Sequence, residues 1–155
     1  MNSVNALPAI PSYQSKVNTV IRGLLRVPLL NRLVGKRLMT IEVVGRKTGK
    51  TYDVPVAYTR HDGRILVGTR KLKWVGNIGP DIPVRLRFGA RTALFDAVVH
   101  TDETQVLRLF EVVANDNHQN AKFNGIEIGP DGRATLDSVR AAWPAGAVVI
   151  EFSPR

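Results

Sequence analysis

The sequence predicts an α+β domain that is mainly β: a six-stranded antiparallel barrel, closed or nearly closed, with helices over its openings. Three observations lead to this prediction. Short segments rich in β-branched residues follow one another between residues 38 and 100, and one more returns at 147–152. Most of them are joined by short glycine-containing turns, which favour hairpins. The helical patterns lie before and after this run, and 155 residues suffice for a single domain with its own core.

Residues 1–37 precede the predicted barrel. Residues 1–15 contain prolines and small residues and are expected to be a loose arm. Residues 16–37 predict a basic amphipathic helical segment, because Val17, Val20, Ile21 and Leu24 recur at helical spacing and Pro28 then breaks or restarts the helix. The basic side chains lie mostly off the apolar stripe. The segment is expected to pack on its own domain, with peripheral contact to an anionic membrane as the alternative.

The strands of the predicted barrel, which spans residues 38–155, begin with a meander. Glycine-containing turns at residues 45–50 and 61–63 join its first three strands. Pro55 in the second strand indicates an edge or a bulge, because proline cannot donate to the hydrogen-bond ladder. Residues 70–80 are expected to form a loop or a short helix. The predicted strands are 38–44, 51–60, 64–69, 82–88, 91–100 and 147–152.

Two helices are predicted after the fifth strand. Asp102 is a suitable N-cap with Gln105 three residues later, and the apolar stripe that follows predicts a helix to about Ala114. Residues 115–120 are expected to be a polar loop, in which His118 is a candidate proton donor at neutral pH. Residues 136–142 predict a second short helix, which Pro144 ends.

Composition excludes several functions. The chain has no cysteine, and its three histidines show no paired-ligand spacing, so no metal site is expected. No apolar stretch is long enough to span a membrane, and the first fifteen residues lack the basic charge of a signal peptide. The net charge is +9, and residues 92–155 carry more acidic than basic side chains. The basic excess therefore lies in the first two-thirds, where it should attract a polyanion.

The sequence GRKTGKT at residues 45–51 carries the most chemical information. It is not a nucleotide phosphate loop, because Gly45 and Gly49 enclose three residues instead of four and a strand follows instead of a helix. Two glycines and the neighbouring Arg46, Lys47 and Thr48 still make an anion site, since exposed N–H groups, charge and a hydroxyl are close together. The alternative is a hairpin turn with solvated basic side chains.

Several short motifs, taken together, resemble those of a known family. They are Gly45–Gly49, Pro55, the pair Thr69 and Arg70, and Trp74-x-x-Asn77. This combination resembles the deazaflavin (F420)-dependent nitroreductase family, whose members are split β-barrel proteins of actinobacteria. The similarity covers roughly residues 22–100. Tyr52 stands where some relatives have arginine, and no tyrosine follows Tyr58.

The resemblance implies that coenzyme F420 binds in a groove at the side of the barrel. It implies that the phosphate and polyglutamate tail meet Arg46, Lys47, Thr48 and Gly49, and that Pro55, Thr69 and Arg70 line the ring or its linker. Trp74 would pack nearby and Asn77 would hold the loop. The implied reaction is hydride transfer from the reduced cofactor to a small electron-poor acceptor: a quinone, a nitro compound or an enone. The resemblance names no catalytic residue.

Other interpretations remain open. The chain could be a non-catalytic split-barrel protein that binds a deazaflavin or a lipid-like ligand, or a relative that binds flavin mononucleotide (FMN), although the basic excess favours a longer anionic tail. Nucleic acid is not an expected partner, because aromatic residues are few and no such motif is present. The expected location is cytoplasmic or peripheral to the inner face of the plasma membrane. The sequence is compatible with a monomer or a homodimer.

Overall fold

The computed structural model describes residues 38–155, so the predicted arm and helical segment at 1–37 lie outside the described residues. Within this part, seven strands and three α-helices are present, with one 3-10 helix at Lys73–Asn77. The strands are β1 (Leu38–Val44), β2 (Thr51–Ala57), β3 (Thr59–His61), β4 (Arg64–Arg70), β5 (Val84–Phe88), β6 (Arg91–His100) and β7 (Ala147–Pro154). The helices are α1 (Glu103–Asp116), α2 (His118–Phe123) and α3 (Leu136–Ala142).

All seven strands form one antiparallel sheet in the order β2-β1-β5-β6-β7-β4-β3. Its two edge strands, β2 and β3, are separated in the chain by Tyr58 alone. Since one residue spans only a few ångströms, the two edges of the sheet must meet there, and the sheet curls towards a barrel. The predicted count of six strands is wrong, because the segment predicted as one strand at 51–60 forms two strands that divide at Tyr58. The first part pairs with β1 and the second pairs with β4.

The sheet buries apolar side chains on both faces. One cluster fills the inside of the barrel and includes Ile41, Leu86 and Phe152, all fully buried. The other lies between the sheet and α1, where Phe110 packs against the strands. Strand β4 serves both clusters, and residues 65–68 are therefore a continuous apolar run.

The helices follow the capping signals of the sequence. The predicted cap of α1 is confirmed, because the Asp102 carboxylate accepts from the Gln105 N–H at 3.0 Å. The expected polar loop at 115–120 is wrong. Asn117 caps α2 by accepting from the Asn120 N–H at 3.0 Å, and buried Ala121 packs this helix against the domain. Among residues 38–155, no helix has the length and apolar character needed to cross a membrane.

Candidate functional site

The basic turn, residues 45–50, joins β1 to β2 and is fixed by its own hydrogen bonds. The Gly45 N–H donates to the Lys50 carbonyl at 2.9 Å, and the Gly49 N–H donates to the Gly45 carbonyl at 2.8 Å. Gly49 has φ 71°, in the left-handed region that glycine adopts without strain. The Thr48 hydroxyl oxygen accepts from the Lys50 N–H at 3.2 Å. The hydroxyl hydrogen of Thr48 is therefore left to donate elsewhere.

Asn77, the last residue of the 3-10 helix, links that helix to the basic turn. Its side-chain oxygen accepts from the Arg46 backbone N–H at 3.0 Å, and its side-chain nitrogen donates to the Tyr52 hydroxyl at 3.1 Å. The guanidinium of Arg46 also approaches Gly76, where a Cβ would lie 4.0 Å from Nη2. One amide thus holds the start of the turn and the first part of β2 against the same short helix.

Among residues 38–155, no acidic side chain is described in an ion pair with the cations of this region. Segments 46–50 and 70–73 hold six basic residues and no acidic one. The arginine ion pairs described for residues 38–155 use Arg64, Arg85, Arg87 and Arg155, all outside these two segments. Arg46, Lys47 and Lys50 are exposed. The basic turn therefore presents an uncompensated positive charge to solvent, which favours binding of an anion.

Trp74 and Pro55 are both buried. Trp74 is 4% exposed and belongs to the cluster inside the barrel, where its buried indole N–H has no hydrogen-bond partner among residues 38–155. Together with buried Val75 it anchors the 3-10 helix in the core. Pro55 pairs with Thr40 on β1 and lies on the opposite face of β2 from the core residue Val54.

Thr69 and Arg70 end β4 and, as neighbours in a strand, point to opposite faces of the sheet. Thr69 follows the alternation of Val67, which faces the inside of the barrel. Arg70 lies on the α1 side, where its Nη2 is 3.8 Å from the position of a Cβ on Gly125, after α2. The structure thus brings Arg46, Thr48, Gly49 and Asn77 together, whereas Thr69 and Arg70 diverge.

Tyr52 was not among the residues that the sequence singled out for the site. It lies opposite Val43 in the β1–β2 ladder, on the first rungs after the basic turn. That position, two residues after Lys50, is the signal that could have found it, because the first rungs of a hairpin lie beside its turn. His118, the candidate proton donor, is exposed at the first position of α2.

Solved structures share this fold at low sequence identity. An F420-H2 dependent reductase (FDR-A) is 13% identical over 76% of this chain and 95% of its own, with a TM-score of 0.52. A conserved hypothetical protein from Mycobacterium tuberculosis is 15% identical over 88% of this chain and 79% of its own, with a TM-score of 0.53. A FAD-binding protein from Mesorhizobium loti is 12% identical over 83% of this chain and 89% of its own, with a TM-score of 0.51. No curated protein sequence matches.

The sheet order and these neighbours define a split β-barrel, the class suggested by the sequence motifs. The family model of F420H2-dependent quinone reductases matches residues 14–124, and the chain belongs to that family. The resemblance to F420-dependent proteins is therefore confirmed. By class the chain is an F420-dependent oxidoreductase, and its cofactor is coenzyme F420.

Proposed function

We propose that this chain binds coenzyme F420 with the anionic tail on the basic turn, and that it reduces a small electron-poor acceptor such as a quinone, a nitro compound or an enone. The observation that carries the proposal is the basic turn itself. Its exposed cations have no ion-pair partner described within residues 38–155, and the Asn77 amide fixes it against the barrel. An anion site held rigidly loses little entropy when it binds a ligand.

The residues of the turn suit a tail that contains a phosphate and several carboxylates. Arg46 can form two parallel hydrogen bonds to one oxyanion, and Lys47 adds a compact charge. The hydroxyl hydrogen of Thr48 is available as a donor, because its oxygen already accepts from Lys50. Gly49 leaves the backbone accessible, since within the described part of the chain nothing lies within 4 Å of where its Cβ would be. The chemistry of these donors therefore fits the tail.

Thr69 and Arg70 are the residues proposed to contact the ring or its linker. They point to opposite faces of β4, so a ligand lying across the end of that strand would meet both, whereas a ligand along one face would meet only one. Pro55 is buried and would act through the shape of β2. When bound, the deazaflavin supplies a hydride to the acceptor, and the chain binds and orients it.

The first experiment is a fluorescence titration of the protein with F420, with FMN in parallel. Arg46→Ala and Lys47→Ala should each weaken F420 binding by about 1–3 kcal/mol, the worth of a charge-assisted hydrogen bond. Arg91→Ala is the matched control. Arg91 comes directly after β5, whose Arg87 pairs with Thr40 near the start of β1. The basic turn follows the other end of β1. Arg91→Ala therefore removes one positive charge at the end of β1 that lies away from the turn.

Three outcomes would count against the proposal. They are a wild-type protein that does not bind F420, binding of FMN in preference to F420, and equal losses in Arg91→Ala and Lys47→Ala. The acceptor is then found by following oxidation of reduced F420 with a quinone, a nitroaromatic compound and an enone. Absence of turnover with all of them, in a protein that binds F420, would favour the non-catalytic interpretation.

A further inference from the structure

The orientation of the Asn77 side chain is determined by its partners. The Arg46 backbone N–H can only donate, so the Asn77 group that faces it at 3.0 Å must be the oxygen. The Asn77 nitrogen therefore faces Tyr52, and the phenolic oxygen of Tyr52 accepts at 3.1 Å. The direction of this second hydrogen bond follows from the first and does not depend on how the amide was assigned.

The hydrogen of the Tyr52 hydroxyl is consequently directed away from Asn77. Within residues 38–155 no acceptor for it is described, and Tyr52 is 38% exposed. The ring lies opposite Val43, on the first rungs beyond the basic turn. The Tyr52 hydroxyl is thus held by the same amide that fixes the backbone of Arg46, one of the exposed basic residues of the turn.

We propose that Tyr52 donates this hydrogen to an oxyanion of the ligand bound at the basic turn, and so helps to select the anionic tail. The inference rests on the proposed function, which puts the cofactor's phosphate and carboxylates at that turn. Arg46 and Lys47 attract the tail through charge, an interaction that salt screens. Tyr52 contributes a directional hydrogen bond without charge, which salt affects far less. Tyr52 is a binding residue in this arrangement, and Asn77 is the positioning residue that aims its hydroxyl.

The test is Tyr52→Phe, which removes only the hydroxyl. We expect F420 to bind about 10- to 150-fold more weakly, the loss expected when one hydrogen bond to a charged group is removed. Binding of the deazaflavin riboside, which lacks the phosphate and the tail, should not change. The salt dependence of F420 binding should also match that of the wild type, whereas Lys47→Ala should flatten it.

Asn77→Asp is the background in which the hydroxyl should lose its effect. The carboxylate still accepts from the Arg46 N–H, but it cannot donate to Tyr52 and takes the phenolic hydrogen instead. In Asn77→Asp we therefore expect Tyr52→Phe to change F420 affinity less than 2-fold. A similar loss in both backgrounds would overturn the inference, because the hydroxyl would then act independently of Asn77.

Two further results would also overturn it. One is unchanged F420 binding in Tyr52→Phe, and the other is an equal loss for F420 and the riboside. Urea unfolding of each variant shows whether it is folded. A wild-type protein that fails to bind F420 overturns the proposed function along with this inference. A wild type that binds F420 while Tyr52→Phe binds it equally well overturns the role of Tyr52 alone.

Discussion

Replacing Gly68 with alanine would drive a methyl group into the ring of Phe110. Gly68 is buried on β4 beneath α1, and its Cβ would lie 3.0 Å from Cζ, 3.1 Å from Cε1 and 3.3 Å from Cε2 of that ring. Carbon atoms prefer separations of about 3.5–4.0 Å. Phe110 is 0% exposed, so its ring cannot move aside into solvent.

The expected magnitude is the difference between two effects. Overpacking a core costs about 1–3 kcal/mol. Alanine also lowers the conformational entropy of the unfolded chain relative to glycine, which stabilises the folded state by about 0.4–1 kcal/mol. With central values of about 2 and about 0.7 kcal/mol, the net loss in the free energy of unfolding should be about 1.3 kcal/mol, or a fall in Tm of roughly 3–5 °C for a chain of this size.

Urea unfolding followed by tryptophan fluorescence measures this loss, with buried Trp74 and more exposed Trp143 as the reporters. Gly79→Ala is the control, because no atom of residues 38–155 is described within 4 Å of its Cβ position and its φ is not positive. The double variant Gly68→Ala/Phe110→Leu should lose less than the sum of the two single variants, since the smaller side chain leaves room for the methyl group. Gly68→Ala at wild-type stability, or strict additivity in the double variant, would refute the reasoning.

Two further predictions concern pH and the turn. Burial alone would raise the pKa of Glu151, but hydrogen bonds with His100 at 2.7 Å and from Arg64 at 2.9 Å outweigh burial and hold that pKa below its ordinary value of 4.5. The stabilisation from this lowered pKa is complete above 4.5 and is lost as pH falls through the lower pKa of the folded state. Urea unfolding across this pH range should therefore show a flatter dependence of stability on pH in Glu151→Gln than in the wild type. A pH dependence that is unchanged in the variant would contradict this prediction. Gly49→Ala should lower the free energy of unfolding by about 1–2 kcal/mol, because φ 71° strains a residue that has a Cβ. The same variant should bind F420 more weakly in titrations. Gly79→Ala should change neither the stability nor the affinity.

Local patterns sufficed for most of the fold. The predicted bounds of β1, β6 and α3 agree with the structure, because each is a strongly patterned segment between clear turn or cap signals. The break at Tyr58 was not predictable from its neighbours, which are β-forming on both sides. It arises from pairing with strands at opposite edges of the sheet. Helix α2 was missed because its sequence, HQNAKF, buries only Asn120 and Ala121 and has no apolar stripe.

The candidate site was predictable to the extent that it is local. The glycine spacing and basic residues of the turn are adjacent in sequence, and the turn forms where they predicted it. The contact of Asn77 with Tyr52 depends on how the 3-10 helix seats against the β1–β2 hairpin, which no short window of sequence specifies. Strand alternation places Thr69 and Arg70 on different faces of β4, so a ligand contacts both only if it lies across the end of that strand.

The unneutralised basic turn has a consequence for stability as well as for binding. Like charges held close together repel, so Arg46, Lys47 and Lys50 oppose the folded arrangement that keeps them near one another. The opposing anchor is apolar, because buried Trp74 and Val75 hold the 3-10 helix whose Asn77 fixes the turn. An anionic ligand relieves the repulsion and binds only where the turn is formed, so binding and stability are linked. The buried tryptophan therefore supports the site from the core, without needing to touch the ligand.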